Sequence, residues 1–421
     1  MAAAVTLKPY GNGFEPSFTL PKTPTEAPKK VTQDPGQSLV EEAERLKREP
    51  TFVDVDAWPH HFESPMAWTG QELGDSSTYT YYLSPDEALE IDNGLKNFKS
   101  LGLWGGDISP ENFSLPTLAP KLALLAREVH LGRGFVNIRG LEHDRYSPED
   151  TSLVFIGISK YIGNRIGKQD EGYALGHIRD ANRSETTQDN RPFRDSNLAL
   201  TFHTDGYCPI LGMQMRAEAA EGGDHLFASS WAVYNELAAT RPDIIRTLAT
   251  PNWYFDPRGI HDDPRPHALF FYEGESHSGA GDGRLMTNFI RYLLTGRPGV
   301  PKLVTSPDCT PAQVEALDAV EALARKHALR LDVKPGDITY VNNWSMLHSR
   351  TSFHDDDNHV RYLVRIWLKN ESPAFAWPLP DIFRMGHKKI FDDDNDQNTL
   401  KWNIVPQPRL KFKIYQTLAQ A

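Results

Sequence analysis

The chain has 421 residues, 39% of them hydrophobic, with 9 Trp and 20 Phe, enough to bury a substantial core in one large or two ordinary domains. Its formal charge is −11, and its Lys and Arg residues are scattered singly or in pairs. That argues against nucleic acid or an anionic membrane surface and leaves a small molecule or a protein as partner.

Cys208 and Cys309 are the two cysteines, too few for a disulfide framework or a thiolate zinc site. No apolar run approaches the roughly 18 residues of a membrane span, and no secretory apolar segment opens the chain, so a reducing, cytoplasmic setting is expected. Oligomeric state, including a homo-oligomer, is left open.

Residues 1–60, rich in Pro, Lys, Thr and Glu, predict an extended arm ahead of a single domain over 61–421. Ser84-Pro85 is a cap and first-turn signal for a helix running through Leu89 to Leu101, and apolar spacing through Leu122, Ala123, Leu125 and Ala126 predicts a second over 117–131. Glycines bound a short buried strand over 134–140, and an apolar stretch follows over 152–159. Residues 179–195 are almost wholly polar and predict a loop leading into the apolar strand that ends at His203.

Further strands are expected over 212–216 and 225–228, with a turn at 220–224 between them. Ser229 or Ser230 caps a helix reaching Thr240, and Pro242 opens the next. Residues 252–283 read as strand fragments and long loops, with His261, His267 and His277 as surface histidines. Thr310-Pro311 starts a helix ending before Leu329, and Pro335-Gly336 turns the chain into a strand over 337–341 that leads to His348. Many short strands with helices in two blocks predict an α+β fold: a double-stranded β-helix (jelly-roll) core with inserted and flanking helices. A doubly wound parallel sheet fits less well, because strands and helices do not alternate and no glycine-rich phosphate loop is present.

His203-Thr204-Asp205 carries the chemical signal. Residues i and i+2 of a strand share a face, so an imidazole and a carboxylate there can grip one ion from one side, and His348 can complete the set. Two His and one carboxylate with open positions opposite form the ligand set of non-heme Fe(II) oxygenases. Three other His-x-acid matches, His61 to Glu63, His261 to Asp263 and His354 to Asp356, sit among prolines, charges and turn residues. Only the copy at His203 follows an apolar strand.

Beyond His348, the stretch from Val360 to Leu368 alternates with period two, placing Arg361, Leu363, Arg365 and Trp367 on one face. Buried guanidinium groups need an acid or an anionic ligand. A keto-diacid that chelates the metal at one end needs such an anchor at the other.

Phe202-His203-Thr204-Asp205-Gly206, Glu221-Gly222-Gly223-Asp224, Pro335-Gly336-Asp337, Asn342-Asn343-Trp344 through Leu347-His348, and Arg361-x-x-x-Arg365 occur in this order. Together they resemble the taurine dioxygenase and clavaminate synthase-like superfamily of Fe(II)/2-oxoglutarate oxygenases, fungal members in particular, over about residues 130–370. The resemblance implies His203, Asp205 and His348 as iron ligands and Arg361 as the anchor for the distal carboxylate of 2-oxoglutarate. It also implies Arg365 facing an acidic group of the substrate. His225 stands where several members carry a threonine that also binds the co-substrate. The implied reaction uses Fe(II), 2-oxoglutarate and O2 to oxidise an unactivated C–H bond of a small, anionic or amino-acid-like molecule, releasing succinate and CO2. Hydroxylation is the default outcome, with desaturation, cyclisation or C–N bond formation as variants, and specialised metabolism is the implied setting. Two alternatives stand beside it: a catalytically inactive jelly-roll binding protein, and a zinc-dependent hydrolase, which leaves both arginines unexplained.

Overall fold

The computed structural model describes residues 54–404 apart from 170–171, 182–186, 257–264, 275–282, 298–300, 303–305, 378 and 393–399. Most of the expected N-terminal arm, together with His261 and His277, lies outside the described residues.

In chain order the first strands are β1 (Thr80–Tyr82), β2 (Phe135–Arg139), β3 (Arg165–Ile166), β4 (Leu175–Ile178), β5 (Leu200–His203) and β6 (Ile210–Ala217). Next come β7 (Glu221–Gly222), β8 (His225–Ser229), β9 (Phe270–Glu273), β10 (Arg284–Thr287) and β11 (Leu329–Arg330). The last are β12 (Ile338–Asn342), β13 (Met346–Arg350), β14 (Phe353–His354) and β15 (Tyr362–Lys369). A larger sheet runs β1-β2-β12-β6-β15-β3, with β4 also paired to β15, and a smaller one runs β11-β8-β13-β5. Pairing is antiparallel except between β1 and β2.

Helices cover the outer faces of both sheets. Those beside the larger sheet are α1 (Pro85–Ser100), α2 (Ala119–Leu131) and α3 (Pro148–Ile162); those beside the smaller are α4 (Ser230–Thr240), α5 (Pro242–Ala249) and α6 (Pro311–His327). A short α7 (Asp381–His387) follows β15. Helix starts obey local chemistry. Ser84 and Glu87 form a reciprocal capping box on α1, and Thr310 and Gln313 do the same on α6, each with Pro in the first turn. α1 thus starts at Pro85 with Ser84 as its cap, as the Ser84-Pro85 signal expects.

β15 divides the core as its alternation demands. Leu363 and Trp367 join the apolar cluster between the sheets, whereas Val364, Ile366 and Leu368 join the one under α1, α2 and α3. The apolar stretch over 152–159 lies inside α3. His267 differs from expectation: it is buried with its ring stacked on Phe255 at 4.4 Å, because the segment around it folds back over the core instead of staying in solvent. Among the described residues, no helix is long and apolar enough to cross a membrane.

Candidate metal centre

β5 delivers His203 as its last residue, and β13 runs antiparallel beside it with His348 as Cα partner of His203. Pairing in register brings the two rings to 4.1 Å between centroids. The chain then turns at Gly206, which adopts φ +33°, and presents Asp205 to both rings. Asp205 Oδ1 lies 3.7 Å from His203 Nε2 and 3.6 Å from His348 Nε2. These contacts are too long for hydrogen bonds, but two donors each about 2.1 Å from a shared ion sit roughly this far apart. Among the described residues, this is the group of His, Cys, Asp or Glu whose ligand atoms converge, all within 4.8 Å of one another.

The protonation states suit a cation. His203 Nδ1 lies 2.9 Å from the carbonyl of Thr201, which makes Nδ1 the protonated nitrogen and turns the Nε2 lone pair toward Asp205. Burial, reinforced by His348, pushes the His203 imidazole down to about 3, so the ring is neutral. Burial alone would raise the Asp205 carboxyl, yet Arg365 and the two imidazoles outweigh it and hold it well below the usual carboxylate range. Two imidazole nitrogens and one fixed carboxylate, all on one side, fit a divalent metal.

Several side chains fix Asp205. The Asn343 side chain is fully buried; its Oδ1 accepts from Asp205 N at 2.7 Å, while its Nδ2 donates to Asp205 O and Cys208 O, both at 2.7 Å. Arg365 Nη1 and Trp367 Nε1 donate to Asp205 Oδ2 at 2.7 and 3.0 Å, which leaves Oδ1 turned to the histidines. Arg365 Nε donates to Gln169 Oε1 at 2.9 Å. Arg365 was expected to face a substrate acid; the structure gives its first partner as the Asp205 carboxylate, while Nη2 has no partner among the described residues.

A second polar group sits deeper between the sheets. Arg361, immediately before β15, is 2% exposed. Its Nη2 is 2.7 Å from His225 Nε2 and its Nε donates to Gly223 O at 3.3 Å, but Nη1 is buried with no partner. The Gly-Gly turn makes room for it: Gly223 adopts φ +76°, and a Cβ there would come within 2.7 Å of Arg361 Cδ and Nε. His225 is the Cα partner of Arg350, two residues beyond His348, so all three face one space. Burial pushes the His225 imidazole well below its ordinary range, with Arg361 and Arg350 adding to it, so it is neutral.

His203, Asp205 and His348 thus come together, with Arg361 and His225 joined beside them and Arg365 behind the carboxylate. The rival pairs stay apart: His61 and Glu63 are exposed at 3.6 Å, and His354 and Asp356 lie on the surface or near it. Asn343, Trp367 and Gln169 were not assigned roles from sequence. Asn343 lies within a motif already singled out, but nothing in its neighbours shows that it reaches across 138 positions to Asp205.

A family model for the taurine catabolism dioxygenase TauD, TfdA family matches residues 97–367. The taurine hydroxylase-like protein SAT17 of Stachybotrys chartarum (strain CBS 109288 / IBT 7711) is 35% identical over 357 residues, covering 82% of this chain and 88% of that protein. Among solved structures, an asparagine oxygenase in complex with Fe(II), 2S,3S-3-hydroxyasparagine and succinate aligns with a TM-score of 0.51 at 15% identity, over 71% of this chain and 98% of that one. The non-heme iron oxygenase OrfP in complex with Fe aligns with a TM-score of 0.51 at 16% identity, over 69% and 94%. These two likenesses concern the fold.

Proposed function

Because the chain belongs to the TauD, TfdA family of dioxygenases, we propose that it is an Fe(II)/2-oxoglutarate-dependent oxygenase whose two facing sheets form a double-stranded β-helix within a single domain. The observation that carries this reading is Arg361 Nη1, a buried cationic donor with no partner, placed beside a neutral His225 and the three-ligand cluster. A buried guanidinium left with an open donor is costly unless an anion arrives to meet it. The distal carboxylate of 2-oxoglutarate meets that need, with the keto-acid end directed at the metal.

His203, Asp205 and His348 would hold the iron, which when bound would supply the redox chemistry that couples turnover of 2-oxoglutarate and O2 to succinate and CO2 with oxidation of a C–H bond. Arg361 fixes the far end of the co-substrate, and His225 Nε2 and Gly223 O hold the guanidinium in orientation. Arg365 and Trp367 keep Asp205 Oδ2 occupied and leave Oδ1, which lies toward the two imidazoles, as the oxygen that would meet a bound ion. The open Nη2 of Arg365 supports a small, anionic or amino-acid-like substrate. Hydroxylation is the outcome proposed. The test is succinate formation by the iron-loaded protein, screened against amino and organic acids, with product mass read in parallel. Gain of one oxygen atom is the expected result; failure to form succinate with any metal loading contradicts the reading.

A further inference from the structure

Arg284 opens β10 and is 6% exposed. Its Nε is buried with no hydrogen-bond partner, and no acid among the described residues pairs with it; burial is what acts on its charge. Of the other buried arginines, Arg191 is paired with Asp180 and Arg241 with Asp243 and Glu315, and Arg350 donates to backbone carbonyls of Ser196 and Leu198, whereas no hydrogen bond or ion pair is made by the Arg284 guanidinium among the described residues. Arg284 instead lies with Cζ 5.0 Å from the ring centre of Trp377. Trp344 packs on the same indole at 5.6 Å, and its own Nε1 is buried without a partner. Arg284 and Trp344 therefore both pack on the Trp377 indole, and each carries a buried N–H donor without a partner. Stacking on an indole offsets only part of the loss of water around a guanidinium.

This wall is tied to the metal centre. Trp344 directly follows Asn343, which clamps Asp205. Thr287, at the far end of β10, donates from N to Trp344 O at 2.8 Å. Phe289 and Thr204, the residue between the first two ligands, exchange hydrogen bonds of 2.8 and 2.9 Å. Phe383 of α7 closes the wall, 5.7 Å from Trp344 and 6.0 Å from Tyr207.

We propose that Arg284 and the Trp344 Nε1–H form a carboxylate-binding subsite for the substrate, whose flat apolar body lies against Trp344, Trp377 and Phe383. The assignment rests on the oxygenase reading and names the substrate class for it: an aromatic or similarly flat carboxylic acid. No covalent step is involved; the subsite orients the substrate relative to the metal.

Isothermal titration of the full chain, loaded anaerobically with Fe(II) and 2-oxoglutarate, compares 3-phenylpropionate with its neutral amide. The carboxylate binds at least tenfold tighter than the amide to the unaltered protein. Arg284→Met removes that preference, Arg284→Lys keeps part of it, and Trp344→Phe, which retains the ring and deletes the donor, reduces it. The Trp344→Phe variant decides the matter if Arg284→Met does not fold. No measurable binding of the carboxylate, equal binding of the pair, or a preference that survives both changes overturns the subsite. The visible band of the iron–2-oxoglutarate chelate is recorded on the same samples. A band without carboxylate preference refutes the subsite alone, and a preference without the band leaves the subsite standing while the oxygenase reading falls.

Discussion

Replacing Arg361 with Met separates binding from folding. In the ligand-free protein the guanidinium makes one contact of 2.7 Å to His225 and one of 3.3 Å to Gly223 O, and leaves Nη1 open in a site 2% exposed. Met fills similar volume and removes a desolvated charge that makes no ion pair among the described residues, so the ligand-free variant is expected to melt within a few degrees of the unaltered protein or above it. The loss falls on the co-substrate instead. A charge-assisted hydrogen bond contributes about 1.5–3 kcal/mol, so the apparent dissociation constant for 2-oxoglutarate rises by roughly 10- to 150-fold. The assay is anaerobic titration of the Fe(II) protein with 2-oxoglutarate, together with thermal melting with and without the keto-acid. The unaltered protein gains thermal stability from 2-oxoglutarate and the variant does not. An unchanged 2-oxoglutarate affinity, or a ligand-free variant that loses several kcal/mol as a broken structural pair would, refutes the assignment.

Asn343→Ala frees Asp205 N and two carbonyls and loosens the carboxylate, so Fe(II) affinity measured by anaerobic titration falls about 10- to 100-fold, and urea unfolding shows a loss of roughly 2–4 kcal/mol; unchanged metal affinity removes its positioning role. Gly223→Ala forces a side chain onto φ +76° and into Arg361, which costs about 1–3 kcal/mol and raises the 2-oxoglutarate requirement; an unchanged requirement shows that the turn does not position Arg361. His203→Ala abolishes metal binding, followed by equilibrium dialysis, while circular dichroism stays native; global unfolding instead assigns the residue a structural role. In the Glu87 cap, burial alone raises the carboxyl, but Lys121, Tyr81 and Ser84 together bring it down to about 2 from 4.5. The ionised form therefore stabilises the fold above about 4.5, and that contribution is lost as pH falls toward 2. Urea unfolding of Glu87→Gln is expected to show a flatter acid limb than the unaltered protein; identical limbs refute the linkage.

Local rules made much of this molecule legible. Hydroxyl-plus-proline signals at Ser84 and Thr310 marked α1 and α6, and the Ser229 hydroxyl alone marked α4, because capping is settled within a few residues. The alternation in β15 separated core from core because a strand has two faces and both are buried here. α3 was harder: Ser147-Pro148 is the same start signal, but the helix is buried nearly all round, so its apolar run lacks the one-sided periodicity that distinguishes a helix from a strand. The cluster of His203, Asp205 and His348 could be read from strand context, since two ligands are neighbours and the third ends a similar apolar approach. The roles of Asn343, Gln169 and Trp367 could not, because each depends on which strands pair and in what register. Arg365 shows the same limit: its face was readable, but its contact with Asp205 Oδ2 emerges only once β15 lies beside the metal loop.

The central claim is that the three-ligand cluster and Arg361 together bind iron and 2-oxoglutarate. Anaerobic addition of Fe(II) and then 2-oxoglutarate to the full chain, followed by visible absorption, tests it most directly. The account predicts a weak charge-transfer band that saturates at one equivalent of iron and is absent in His203→Ala. Folded protein that takes up iron and 2-oxoglutarate without any such band, or that shows the same band in His203→Ala, contradicts it.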